Sequence, residues 1–156
     1  MGRILAVDYG RKRCGIAVTD PLQMIATPLV TVETSRLWDF LKEYIGKEDV
    51  ECLVVGEPRQ MDYTPSENER YIQPFLGRFK KAYPQIALER EDERFTSKMA
   101  FQAMIEGGLK KKQRQDKALV DSTSATLILQ SYMERVALRR RQEVVGEMPE
   151  KAGERN

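Results

Sequence analysis

Asp8, Asp92, Glu93 and Asp121 are carboxylates in places where a carboxylate is costly. Asp8 closes an apolar run at residues 3–8. Asp92 and Glu93 follow the segment "QIALER", and Asp121 lies inside "KALVDSTSATLILQ". An acid at the lip of a buried strand, or on the packed stripe of a helix, loses hydration unless something pairs with it. One reading gives each acid a neighbouring Arg or Lys, or makes it a helix cap. The other brings Asp8, Asp121 and one of Asp92 or Glu93 to a single place. Carboxylates in contact repel by about 4 kcal/mol per pair at ~4 Å and an effective dielectric of ~20. A hard divalent cation removes that repulsion, and a set of oxygen ligands favours Mg²⁺ or Mn²⁺.

Other chemistries are closed to this chain. It has no histidine, which excludes Ser-His-Asp and Cys-His catalysis, histidine bases and histidine-ligated metals. Cys14 and Cys52 sit in apolar runs and read as buried free thiols, and two cysteines cannot make a zinc tetrad. Catalysis must then run on carboxylates, lysines, tyrosines or a metal they bind.

The elements that must position these acids are legible from hydrophobic pattern. Residues 3–8, 13–19 and about 26–32 read as strands, and the short turn "YGRKR" makes the first two an antiparallel hairpin. Residues 34–46 read as a helix, capped by Thr34 or Ser35. "ECLVVG", residues 51–56, has the composition of a buried parallel strand. A second helix should carry Tyr71, Ile72, Phe75, Leu76 and Phe79 on one face, with Pro74 causing a kink or a late start. Residues 85–92 give a fifth strand. A third helix begins near Thr96 or Ser97 and ends at Gly107–Gly108, and a last one spans about 117–139. On that last helix, positions 121, 125, 128 and 132 share one face, which puts Asp121 on the side that packs on the sheet.

This order of elements predicts an α/β domain over residues 1–138: a mixed five-stranded sheet, antiparallel first and crossover later, covered by helices. Residues 139–156 are polar and read as a disordered tail. At 156 residues, with 41% apolar and 32% charged residues, the chain suits one globular domain. It contains no run approaching a membrane span and no apolar signal core, which predicts a cytoplasmic protein. Net charge is only +2, but "LKKKQRQDK" at 109–117 holds five bases against one acid. A local basic segment on a near-neutral chain can mark contact with a polyanion or simply a solvated loop.

"AVDYGRKRCGIAVTD", "VVGEPRQMDYTPSE", "DERFTS" and "KALVDSTSATLILQ" together resemble the YqgF/RuvX family. This family is the Holliday-junction-resolvase-like branch of the RNase H-like superfamily. The resemblance covers residues 3 to about 137, with all four motifs in order. It implies an RNase H-like fold and a metal-dependent phosphodiesterase acting on nucleic acid. The family is linked to processing the 5′ end of pre-16S rRNA in ribosome biogenesis, and by analogy with its resolvase relatives to branched DNA.

The family's acidic positions fall on Asp8, Glu93 and Asp121, as catalytic residues and as ligands of Mg²⁺ or Mn²⁺. Spacing alone leaves Asp92 as the alternative to Glu93. Gly10 and Gly15 would let a substrate backbone come close. Arg11, Lys12, Arg13 and Arg94 border the acids and could hold phosphates around the scissile bond. Arg94 serves equally well as an ion-pair partner of Asp92 or Glu93. Lys110, Lys111, Lys112 and Arg114 are candidates for outer phosphate contacts. Aromatic platforms for stacking bases are not evident, since most aromatics sit on helix stripes. The rival readings are an actin-like or sugar-kinase ATPase, which needs two such domains, and a non-catalytic RNA-binding transcription factor.

Overall fold

The computed structural model describes residues 2–58, 67–93 and 117–147, and in the last stretch the side chains of residues 124–143. Three strands open the chain: β1 (Arg3–Tyr9), β2 (Arg13–Thr19) and β3 (Ala26–Glu33). A 3-10 turn at Thr34–Arg36 leads into α1 (Leu37–Lys47). Then come β4 (Val50–Glu57), α2 (Glu69–Ala82), β5 (Ala87–Asp92) and α3 (Lys117–Glu147). The expected helix near residues 96–108 lies outside the described residues.

The strands form one sheet in the order β3-β2-β1-β4-β5. β1 and β2 pair antiparallel, as do β2 and β3, while β4 runs parallel to both β1 and β5. This is the α/β architecture expected from the order of elements. It brings the carboxyl ends of β1, β4 and β5 to one edge, beside the start of β2.

Alternation along the strands sends side chains into two cores. Leu5, Val7, Ile16, Leu53 and Val55 face one way, against Leu37 and Leu41 of α1 and Ile72, Phe75, Leu76 and Phe79 of α2. Ile4, Ala6, Ala17, Cys52 and Val54 face the other way, against Ala125, Ile128 and Leu129 of α3. The α3 side of the sheet is built from smaller residues, which lets a single helix lie close over it. Both cysteines are free and buried, and burial pushes the Cys52 thiol up to about 11.

Two expectations need correction, the end of α3 and the side of α2 on which Tyr71 lies. α3 runs to Glu147 rather than ending near residue 139. Polarity marked the end of the buried stripe, and "RRRQE" are residues that favour a helix even when solvated. Pro74 sits inside α2, as expected, and the helix starts at Glu69. The proline lacks the N–H that would bond to the Arg70 carbonyl, and it occupies the exposed side. Tyr71 does not share the buried stripe: it is 39% exposed, while Ile72, Phe75, Leu76 and Phe79 are buried.

Among the described residues, no helix is long and apolar enough to cross a membrane.

Candidate functional site

The parity of β1 decides which way Asp8 points. Ile4 and Ala6 face α3, so Asp8 belongs to the same face, whereas Leu5, Val7 and Tyr9 face α1 and α2. On β2, Asp8 is opposite Gly15. On β4, Val7 is opposite Val55, which places Gly56 beside Asp8. A glycine therefore flanks Asp8 on each neighbouring strand and leaves a bay on the α3 side.

Glu93 fills part of that bay. Its backbone N–H donates to the Glu57 carbonyl (3.1 Å), which carries the β4–β5 ladder one step past the strand end. Its carboxyl lies directly over Gly56, where a Cβ would stand 2.6 Å from Cδ and 2.8 Å from Cγ of Glu93. Only a residue without a side chain admits Glu93 here. The Glu93 carboxyl hydrogen-bonds the Asp8 carboxylate, and its pKa is pushed up to about 9 by burial first and by the Asp8 charge second. Two carboxyl groups in contact in a half-buried bay repel when both are ionised, and a cation between them would relieve that repulsion.

Of these two adjacent acids, Glu93 is the one that the fold brings to Asp8. Glu93 meets Asp8, whereas Asp92 alternates onto the other face with Leu88 and Arg90. Asp92 adds only a more distant repulsion to Glu93. Asp121 lies in α3, one turn before buried Ala125 and two before buried Ile128. Its side chain is outside the described residues. Among the described residues alone, no group of three acids, cysteines or histidines could hold a metal.

Sequence reading missed the support beneath this pair. Arg90 places its guanidinium against Glu69, with Nη1 donating to Oε2 (2.8 Å) and Nη2 to Oε1 (2.9 Å). The same group donates to the carbonyls of Val55 (3.1 Å) and Gly56 (2.9 Å). One fork therefore ties the end of β4 to the first turn of α2. Asn68 adds a second tie, donating from Nδ2 to the Tyr9 carbonyl (2.9 Å). On the α3 side, buried Glu91 accepts from Ser131 (2.6 Å) and from Nε of Arg135 (2.9 Å), pinning α3 to β5. A cation and an acid alternating inside the strand "ALERED" were the visible signal.

The hairpin after Asp8 is equally constrained. A Cβ on Gly10 would strike the Arg13 carbonyl, so the turn closes this tightly only with glycine. Thr34 braces the turn by donating from Oγ1 to the Gly10 carbonyl (2.6 Å), and its N–H donates to the Lys12 carbonyl (2.9 Å). Arg11 and Lys12 are exposed at this end of the sheet. Arg94, Lys110, Lys111, Lys112 and Arg114 lie outside the described residues.

A family model described as "RuvX: Holliday junction resolvase" matches residues 2–135. The chain belongs to the RuvX family. A relative from Christiangramia forsetii is 60% identical over 133 residues, covering 85% of this chain and 98% of that protein. One from Phocaeicola vulgatus is 59% identical over 134 residues, covering 86% of this chain and 96% of that protein. Both relatives of this RuvX chain carry the name "Putative pre-16S rRNA nuclease". Among solved structures, T. thermophilus RuvC in complex with Holliday junction substrate superposes with a TM-score of 0.53 at 21% identity. The match covers 86% of this chain and 96% of that one. The fold shared with RuvC is RNase H-like, as the family resemblance implied.

Proposed function

We propose that this RuvX chain is a divalent-metal-dependent nuclease, and that its substrate is the 5′ end of pre-16S rRNA, as the name of its relatives suggests. One observation supports the active-site reading above the rest. Asp8 and Glu93 face each other in a bay that two glycines keep open, and Glu93 is held protonated beside Asp8. Two facing carboxyl groups offer only oxygen ligands, a donor set that fits Mg²⁺ or Mn²⁺.

Asp8 and Glu93 would hold the ion, with Asp121 joining them from the start of α3. When bound, the metal supplies a water of lowered pKa and neutralises charge on the reacting phosphate. The chain's own residues do the rest. Gly56 leaves room for the Glu93 carboxyl, and Arg90 fixes the strand end on which that carboxyl rests. Arg11 and Lys12, displayed by the braced hairpin, would orient the phosphates flanking the reacting one, with Arg13, Arg94 and the basic segment carrying Lys110, Lys111, Lys112 and Arg114 extending the path. Branched DNA is the second substrate class, favoured by the description of the family model.

The test is cleavage of a pre-16S 5′ leader transcript and of a four-way DNA junction, each with and without MgCl₂. Magnesium-dependent cut products from the transcript are expected, and Asp8→Asn, Glu93→Gln and Asp121→Asn should each abolish them. Full activity in any one variant removes that residue from the site. Cleavage of the junction alone transfers the assignment to branched DNA.

A further inference from the structure

On the face of the sheet away from Asp8, at the same end, lies an open groove of about 350 Å³ whose lining includes Tyr9, Thr34, Trp38, Tyr71, Pro74 and Arg78. That volume falls within the ~300–1,000 Å³ range of ligand clefts. Rings and the Arg78 guanidinium line it, and two further guanidinium groups contact the lining Tyr71. Arg78 lies over the Trp38 ring at 3.9 Å. Tyr71 is flanked by two cations, with Arg11 at 4.8 Å and Arg70 at 5.5 Å from its ring centroid. Trp38 is held rigidly, because Phe75 and Phe79 meet it edge-on at 6.3 and 6.5 Å. Tyr71, by contrast, contributes nothing to the buried stripe of α2.

We infer that this groove is a base-stacking subsite for single-stranded nucleic acid, receiving a nucleotide that neighbours the one cut beside Asp8. Three features of the groove carry this. Aromatic and guanidinium planes are the surfaces on which unpaired bases stack, and exposed Arg11, Arg70 and Arg78 complement the phosphates between them. Tyr9 on the groove side directly follows Asp8 on the acid side, so the two sites are joined by consecutive residues of β1. The structure between them is the Gly10–Lys12 turn, which Thr34 of the groove wall braces. Passing from one face of the sheet to the other across this turn demands a sharp bend. A single strand makes it; a duplex, stiff over ~150 base pairs, does not. The inference rests on the proposed nuclease reading for what happens beside Asp8, but the groove can be tested without cleavage.

Trp38 is the single tryptophan of the chain, so its emission reports on the groove directly. In EDTA, titration with a short single-stranded oligoadenylate should quench Trp38 emission saturably. By anisotropy of the labelled oligonucleotide, Tyr71→Ala should weaken binding roughly 5- to 100-fold, the range for losing one stacked base. Arg78→Ala should also weaken it, with the melting temperature retained in both variants. A blunt RNA duplex should leave Trp38 emission unchanged and bind wild type and Tyr71→Ala alike. Oligonucleotide binding with unaltered Trp38 emission overturns the inference, as does wild-type affinity in Tyr71→Ala or an equal loss for duplex and single strand. Failure of the nuclease reading shows separately, as cleavage that survives Asp8→Asn while the titration stands.

Discussion

At the scale of single residues, Glu93 makes the sharpest predictions. Its carboxyl titrates near 9 in the fold and near 4.3 in an unfolded chain. Between those values the folded protein keeps a proton that the unfolded chain has released. The unfolded state then binds fewer protons, so stability falls as pH rises through that window. The melting temperature of the metal-free protein should decline between about pH 6 and about pH 9, and Glu93→Gln should flatten the decline. A wild-type melt indifferent to pH in that range would contradict the shared proton. Asp8→Asn removes the same repulsion, so it should raise the metal-free melting temperature. Millimolar MgCl₂ should stabilise the wild type by mass action and this variant much less. Gly56→Ala tests the bay from its floor. The new methyl collides with Glu93, which should cost about 1–3 kcal/mol in denaturant melts and remove most cleavage activity. Activity at the wild-type level in Gly56→Ala would show that the position of Glu93 is immaterial.

At the scale of elements, Arg90 is the joint between β4 and α2. Its side chain is 21% exposed and that of its partner Glu69 is 14% exposed, so the pair is shielded from water and from screening by salt. Arg90→Met leaves Glu69 without its cation and removes one donor from each of two carbonyls at the end of β4. Hydrogen bonds to charged groups are worth about 1.5–3 kcal/mol, and a stability loss at the upper end of that range is expected from chemical denaturation. Activity should fall with it, because Gly56 lies at that strand end. A stability loss below about 0.5 kcal/mol would mean that the hydrophobic face of α2 alone holds the joint. Ser131 offers a milder comparison at the α3–β5 contact, where only one hydrogen bond to Glu91 is removed. Ser131→Ala should cost about 1.5 kcal/mol, the lower end for a hydrogen bond to a charged group.

At the scale of the whole molecule, the distribution of charge matters more than its sum. Residues 33–69 carry ten acids against four bases, whereas residues 109–117 carry five bases against one acid. A local run of bases attracts a polyanion even where the net charge of the chain is small. Replacing Lys110, Lys111 and Lys112 together should weaken nucleic-acid binding. The slope of log affinity against log salt should flatten by roughly 2 for a single strand, since each phosphate contact contributes about 0.7. An unchanged slope would show that the segment is only solvated.

The sequence by itself determined the order of the described strands and helices, the hairpin after Asp8, the two-faced burial of β1 and β4 and the family. These follow from local periodicity and from motifs that survive in linear spacing. It also singled out Asp8 as an acid at a strand end. What it left open was the partner of Asp8. Asp92 and Glu93 are adjacent, and only the β4–β5 register and the room above Gly56 place Glu93 against Asp8. The Arg90–Glu69 joint, the Glu91–Arg135 contact and the exposure of Tyr71 were equally out of reach. Each depends on which residue from a distant element stands opposite, and helical spacing alone put Tyr71 on the wrong side of α2. Periodicity reports which side of an element is buried, but pairing across elements exists only once the chain has closed on itself.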